Sequence, residues 1–223
     1  MINLLIKDLN LLFKTSKFNL LVILFPIALS LAAFGGGLPF IPNIIVYTFS
    51  IFMAIYFSIT ISTSHEEKNK GETLLNSMPI SREDIVKGKY ILPLVYLLIY
   101  FIIIYILTNF LSLMGIGKNA GVVSTGELIA SMNLIFLFYS IYLPAYFKSE
   151  NGMAGFNQFF YMVIIILPSI SSRFSKYLSE NKFIGRLSKL ASVGNNLILL
   201  IIIVTIYIIS LQISKQIYIN KEI

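Results

Sequence analysis

The chain has 223 residues, of which 57% are apolar and 12% charged, with a mean hydropathy of +0.85; soluble domains run at roughly 45–50% apolar and about 25% charged. This excludes an ordinary water-soluble globule and points to a polytopic membrane protein. The formal net charge of +7 does not call for nucleic acid, because most basic residues stand between apolar runs, where they orient a chain across a bilayer. The absence of cysteine excludes disulfides, thiolate metal ligands and a cysteine nucleophile.

In residues 1–17, Ile2, Leu5, Leu9, Leu12 and Phe13 recur at helical spacing, with Asn3, Lys7, Asn10 and Lys14 on the opposite side. This predicts an amphipathic helix lying on the membrane surface, either as an anchor or as a relay of motion. No charge then occurs from Phe18 to Ser64, 47 positions, and one crossing takes about 20 residues. Two spans are expected there, turning at Gly35, Gly36, Gly37, Leu38 and Pro39, with Pro42 behind them. Further runs without Asp, Glu, Lys or Arg cover Tyr90–Gly117, Leu128–Phe147, Asn151–Ser172 and Leu190–Ser214, each enough for one crossing. The expected fold is all-α, with six transmembrane helices in a single transmembrane domain over 1–223. No cleavable leader is recognised, so the first span is expected to direct insertion itself.

With six spans and both termini cytoplasmic, eleven Lys and Arg fall inside and six outside, the expected bias for a multi-pass protein of the inner, or cell, membrane. Five of the outer six, Arg173, Lys176, Lys182, Arg186 and Lys189, share one loop. A fifth run that dipped in and returned would change the count to fourteen against three. The continuous apolarity of Phe159–Leu167 favours a full crossing, since re-entrant backbone survives only under protein or water. The loop over 173–193 alternates apolar and basic residues at helical spacing, as short amphipathic helices on the outer surface would.

The charged segment 65–89 holds five of the ten acidic and five of the seventeen basic residues, a composition for water. Ser81 stands three residues before Asp84 as a helix cap, Pro79 stops what precedes, and a short helix is expected from Arg82 toward Lys89, with Ile85 and Val86 on one side. Such a helix suits a partner's groove, although charge runs are also ordinary solvated loops.

The order Glu66, Lys68, Gly71, Glu72, Thr73, Leu74, Leu75, Ser77, Pro79, Ile80, Ser81, Arg82, Ile85, Val86, Gly88, Lys89 resembles the first cytosolic loop of ATP-binding cassette type-2 permeases. The resemblance implies that 65–89 contains a coupling helix docking on a cytosolic ATP-binding cassette ATPase, with Glu66, Glu67, Leu74, Leu75, Met78, Pro79, Ile80, Ser81, Arg82 and Ile85 at the contact. It also implies that 1–17 is a connecting helix and that a second permease copy completes a twelve-span homodimer. Small permeases exporting amphipathic bacterial peptides, such as the phenol-soluble modulin exporters, are similar in size and span count.

The chain carries no Gly-x-x-x-x-Gly-Lys-Ser/Thr loop; Gly115, Gly117 and Lys118 come nearest and lack the spacing and the hydroxyl. ATP and Mg would therefore belong to the partner subunit, with no cofactor, metal or catalytic residue here. The spans are expected to hold no charge, which disfavours ion-coupled transport. They do hold tyrosine: Tyr96 and Tyr100 on the third, and Tyr139, Tyr142 and Tyr146 on the fourth beside Pro144. These faces either border a path for an amphipathic substrate or pack helices together. Asn109 and Asn133 are expected to join helices through amide hydrogen bonds. The competing reading is a non-transporting immunity or sensor protein whose cytosolic loop binds a signalling partner.

Overall fold

A computed structural model describes residues 6–10, 24, 27–31, 34, 43–68, 80–115, 122–149, 153, 155–160, 162 and 193–221. Four long helices dominate: α1 (Asn43–Lys68), α2 (Arg82–Leu113), α3 (Thr125–Lys148) and α4 (Val193–Ile219). Residues 6–10 and 155–160 are also helical, and no strand occurs among the described residues. Each long helix has the length and apolarity to cross a membrane. The proposed first span and the surface loop 173–193 lie mostly or wholly outside the described residues, as does most of the fifth apolar run.

The helix ends follow local chemistry. Ser81 is extended and its hydroxyl accepts from Asp84 N at 3.1 Å, with Glu83 and Asp84 in the first turn of α2, where carboxylates complement the positive end of the helix dipole. The short helix expected over 82–89 and the span expected from Tyr90 are one unbroken 32-residue helix. This corrects the sequence reading: nothing between Lys87 and Tyr90 stops a helix, and the change from charge to apolarity alters only what surrounds it. Ser124 and Glu127 form a reciprocal capping box at the start of α3, with Ser124 N donating to Glu127 Oε2 at 2.7 Å. At the far end of α2, Gly115 takes φ +73° and its N–H reaches Ser112 O, a helix stop that glycine makes without steric cost.

Contacts fix the helix directions. Lys89 near the start of α2 meets Glu66 near the end of α1, and Arg82 meets the carbonyls ending α4. Lys221 donates to Ser149 O beyond the end of α3. So α1, α3 and α4 run one way and α2 the other, and one end of the bundle gathers the charges.

α1 is the most deeply buried of the four long helices, with 78% of its apolar window buried against 17% for α4. Ser50, Ser58, Thr60, Ser62 and Thr63 are all buried along it, and Ser58, Thr60 and Thr63 donate to carbonyls four residues back. Small residues of this kind let neighbouring helices approach closely. α4 uses a single stripe instead: Ile203, Tyr207, Ser210, Ser214 and Tyr218 are buried, whereas Ile198, Ile201, Ile202, Ile208, Ile209 and Ile213 are exposed and suited to lipid.

That stripe meets both proline sites. Pro144 inside α3 has no N–H to offer Ser140 O, and Ser210 donates to this carbonyl at 2.7 Å. Pro93 likewise has no N–H to offer Lys89 O in α2, and, one residue on, Tyr207 donates to Tyr90 O at 2.7 Å. Tyr90 in turn bonds Ser210 and Ser214, each at 2.7 Å. Carbonyls at or beside the proline sites are thus joints between helices, satisfying backbone where no water is at hand.

Candidate functional site: the charged end of the bundle

Two of the positions singled out from sequence, Glu66 and Arg82, hold the charged end together. Lys89 Nζ lies 2.6 Å from Glu66 Oε2 and 3.2 Å from Asp8 Oδ2, and both carboxylates are almost entirely buried. Lys7 completes the group, pairing with Glu66 and lying 3.5 Å from Asp8. Ser62 donates to Asp8 Oδ1 at 3.2 Å and Tyr96 donates to Asp8 O at 3.4 Å. Two cations and two carboxylates cancel, which is the condition under which charges survive burial.

Glu66 and Lys89 stand just beyond the apolar runs that end at Ser64 and begin at Tyr90, within helices that continue past them, because a helix continues past a charge that finds its opposite on a neighbour. Asp8 and Lys7, from the segment read as a surface helix, are the partners that sequence spacing alone did not provide.

Arg82 spans the other gap. Its Nη1 donates to Ile219 O at 2.9 Å, Lys221 O at 3.0 Å and Tyr218 O at 3.4 Å. A guanidinium at a helix C-terminus meets unpaired carbonyls and the negative end of the dipole together. Lys215 approaches Glu83 at 3.6 Å, and Lys87 lies 3.5 Å from Glu83 and 3.8 Å from Asp84. The start of α2 is therefore fastened to α1 on one side and to α4 on the other.

The remaining expected contact residues divide by burial. Ile85 is 4% exposed within the chain's own core and Ile80 is half-buried against it, so neither projects toward a partner in this conformation. Ser81 and Glu83 are exposed, and Asp84 and Lys87 partly so; these polar groups form the outer face of this turn. The Glu67 side chain and Leu74, Leu75, Met78 and Pro79 lie outside the described residues.

The tyrosines expected along a path are mostly packed. Tyr96, Tyr100, Tyr139 and Tyr142 are buried and Tyr146 is partly buried. Tyr100 and Ser58 share a hydrogen bond of 2.6 Å. Tyr142 and Tyr56 both donate to Asn157 Oδ1, at 3.2 and 3.1 Å, within a ring cluster that includes Phe52, Phe138, Phe156 and Phe160. The Tyr139 hydroxyl has no hydrogen-bond partner among the described residues. Asn109, expected to join helices, donates to Tyr105 O of its own helix instead. Asn157, Tyr90, Ser210 and Ser214 were not singled out from sequence; the three- and four-residue steps from Tyr207 to Ser210 and on to Ser214 are the signal that marks the packing stripe of α4.

The profile of the family described as "ABC-2 family transporter protein" matches residues 3–219. The chain belongs to this family. No curated protein and no solved structure matches it. As an ABC-2 chain it is a multi-pass membrane component of a transporter, and the family implies a separate ATP-binding subunit as its partner. Apart from Lys221, the charged end described above is assembled from residues within that matched range.

Proposed function

We propose that this protein is the membrane permease subunit of an ATP-driven exporter of amphipathic peptides or other hydrophobic compounds, with its charged end facing the cytosolic ATPase. The family match over 3–219 is the observation that carries the reading. The geometry supports it: the start of α2 is tied to α1, α4 and the N-terminal segment at once, so a displacement there reaches most of the bundle. Coupling would pass through the exposed turn at Ser81, Glu83, Asp84 and Lys87 and through the segment preceding it.

Six crossings with both termini cytoplasmic fit the helix directions. Residues 6–10 sit at the charged end while α1 starts at the opposite one, and α3 and α4 both finish at the charged end. The stretches between therefore change ends, which supports one crossing before α1 and one between α3 and α4. A second copy would complete the twelve-span pathway, with ATP and Mg held by the ATPase.

The test is affinity purification of the tagged chain from native membranes in mild detergent. A cassette ATPase should be recovered, and its yield should fall several-fold when Glu83→Lys and Asp84→Lys are introduced together. These positions are exposed or partly so, whereas a charge placed at the buried Ile85 would disrupt the core. Recovery of a signalling protein without any ATPase, from folded protein, would favour the sensor or immunity reading.

A further inference from the structure

We propose that residues 6–10 form a releasable latch, closed by charge over the junction of α1 and α2, that opens when the start of α2 is displaced. The charges divide in a way that permits release. The segment brings Lys7 and Asp8, one of each sign, and the helices bring Lys89 and Glu66, again one of each. Separation leaves two neutral halves, and the Lys89–Glu66 contact at 2.6 Å needs nothing from the segment to persist. Neither half strands a buried charge, which is the outcome that makes most buried ion clusters hard to open.

Closure has its own specificity. Asp8 accepts from Ser62 on α1 and, through its carbonyl, from Tyr96 on α2, as well as pairing with Lys89. These contacts fix the segment to both helices and hold it closed at rest. Lys7 has a side chain 37% exposed, whereas those of Asp8 and Lys89 are at most 7% exposed, so the cluster borders water at one edge and water can follow the segment outward. A buried ion group seldom stabilises more than apolar residues of the same size, and its best-attested use is to set register or act as a switch.

The lever is α2 itself. Arg82 and Lys89 are seven residues apart on one continuous helix, about 10 Å at 1.5 Å per residue. A force on the turn holding Ser81 and Glu83 moves Lys89 as part of the same rod. That the ATPase supplies this force rests on the function proposed above; that charge holds the latch closed does not.

The natural absence of cysteine gives a direct test. Ser62→Cys places the single thiol beneath the latch, in full-length protein in lipid nanodiscs, and a water-soluble maleimide reports its exposure. Adding Lys7→Ala and Asp8→Ala should raise the labelling rate at least tenfold with the melting temperature little changed; the isosteric Asp8→Asn should raise it several-fold and serves if the double variant folds poorly. Equal rates in all three would overturn the latch. In the complex with its ATPase, turnover of ATP should raise labelling of Ser62→Cys several-fold over the nucleotide-free complex. Unchanged labelling during normal ATP hydrolysis would show a permanent joint and overturn the opening. A chain that recovers no ATPase would remove the proposed driver, while the comparison of variants still decides whether charge holds the segment.

Discussion

α1 and α4 are both apolar enough to cross a membrane, yet one is 78% buried and the other 17%. The buried helix is the one rich in serine and threonine, and the exposed one turns most of its isoleucines outward. In water the order would be reversed. In lipid, apolar side chains gain little by leaving the solvent, whereas small residues allow close approach and hydroxyls find partners only in other helices. The charged end extends the same rule, because Glu66 and Lys89 are tolerated in helix interiors through being opposite each other.

The strongest challenge to that comparison is Lys89→Met. It leaves Glu66 and Asp8 buried with Lys7 alone, and should cost about 3–5 kcal/mol, the usual result of breaking a buried pair from one side. Denaturation in detergent followed by tyrosine fluorescence would measure it. The double variant Lys89→Met with Glu66→Leu restores neutrality and should recover most of the loss. Recovery of none would mean that geometry rather than charge balance decides the site.

A size change separates the two helices next. Ser58→Leu, deep in the centre of α1, should cost about 1–3 kcal/mol by overpacking, whereas Ile202→Leu on the exposed side of α4 should stay within about 0.5 kcal/mol. Thermal unfolding of both in one detergent provides the check, and equal effects would contradict the deeper burial of α1. Within α4, Ser210→Ala removes the donor that Pro144 makes necessary and should cost about 0.6–1.7 kcal/mol. Thr205→Ala should cost less, since Thr205 is exposed and bonds only carbonyls of its own helix among the contacts described. The smallest expected change has the opposite sign. Tyr139→Phe deletes a buried hydroxyl that has no partner among the described residues, so its melting temperature should be unchanged or slightly raised.

Much of this was legible in the sequence, for reasons that differ by residue. The long apolar runs gave the long helices, and Ser81 three residues before Asp84 gave the start of α2, because cap chemistry is local. Ser124 and Glu127 carry the same signal, so the start of α3 is also written locally, a few residues before the apolar run that begins at Leu128. The ion cluster was not legible: Asp8, Glu66 and Lys89 are 58 and 23 residues apart along the chain, and nothing local says that they meet. Burial of Tyr96, Tyr100, Tyr139 and Tyr142 was equally hidden, because a tyrosine face packed against a neighbour and one lining a path have the same spacing.

In the function proposed above, a separate ATPase drives this bundle through its charged end. The most direct measurement is ATP hydrolysis by the ATPase recovered with the chain, assayed with and without the chain in lipid nanodiscs. The chain should change the hydrolysis rate severalfold, and Glu83→Lys with Asp84→Lys should abolish the change while the bundle remains folded. A rate indifferent to the presence of the chain, or a response that survives the reversal of both charges intact, would contradict it.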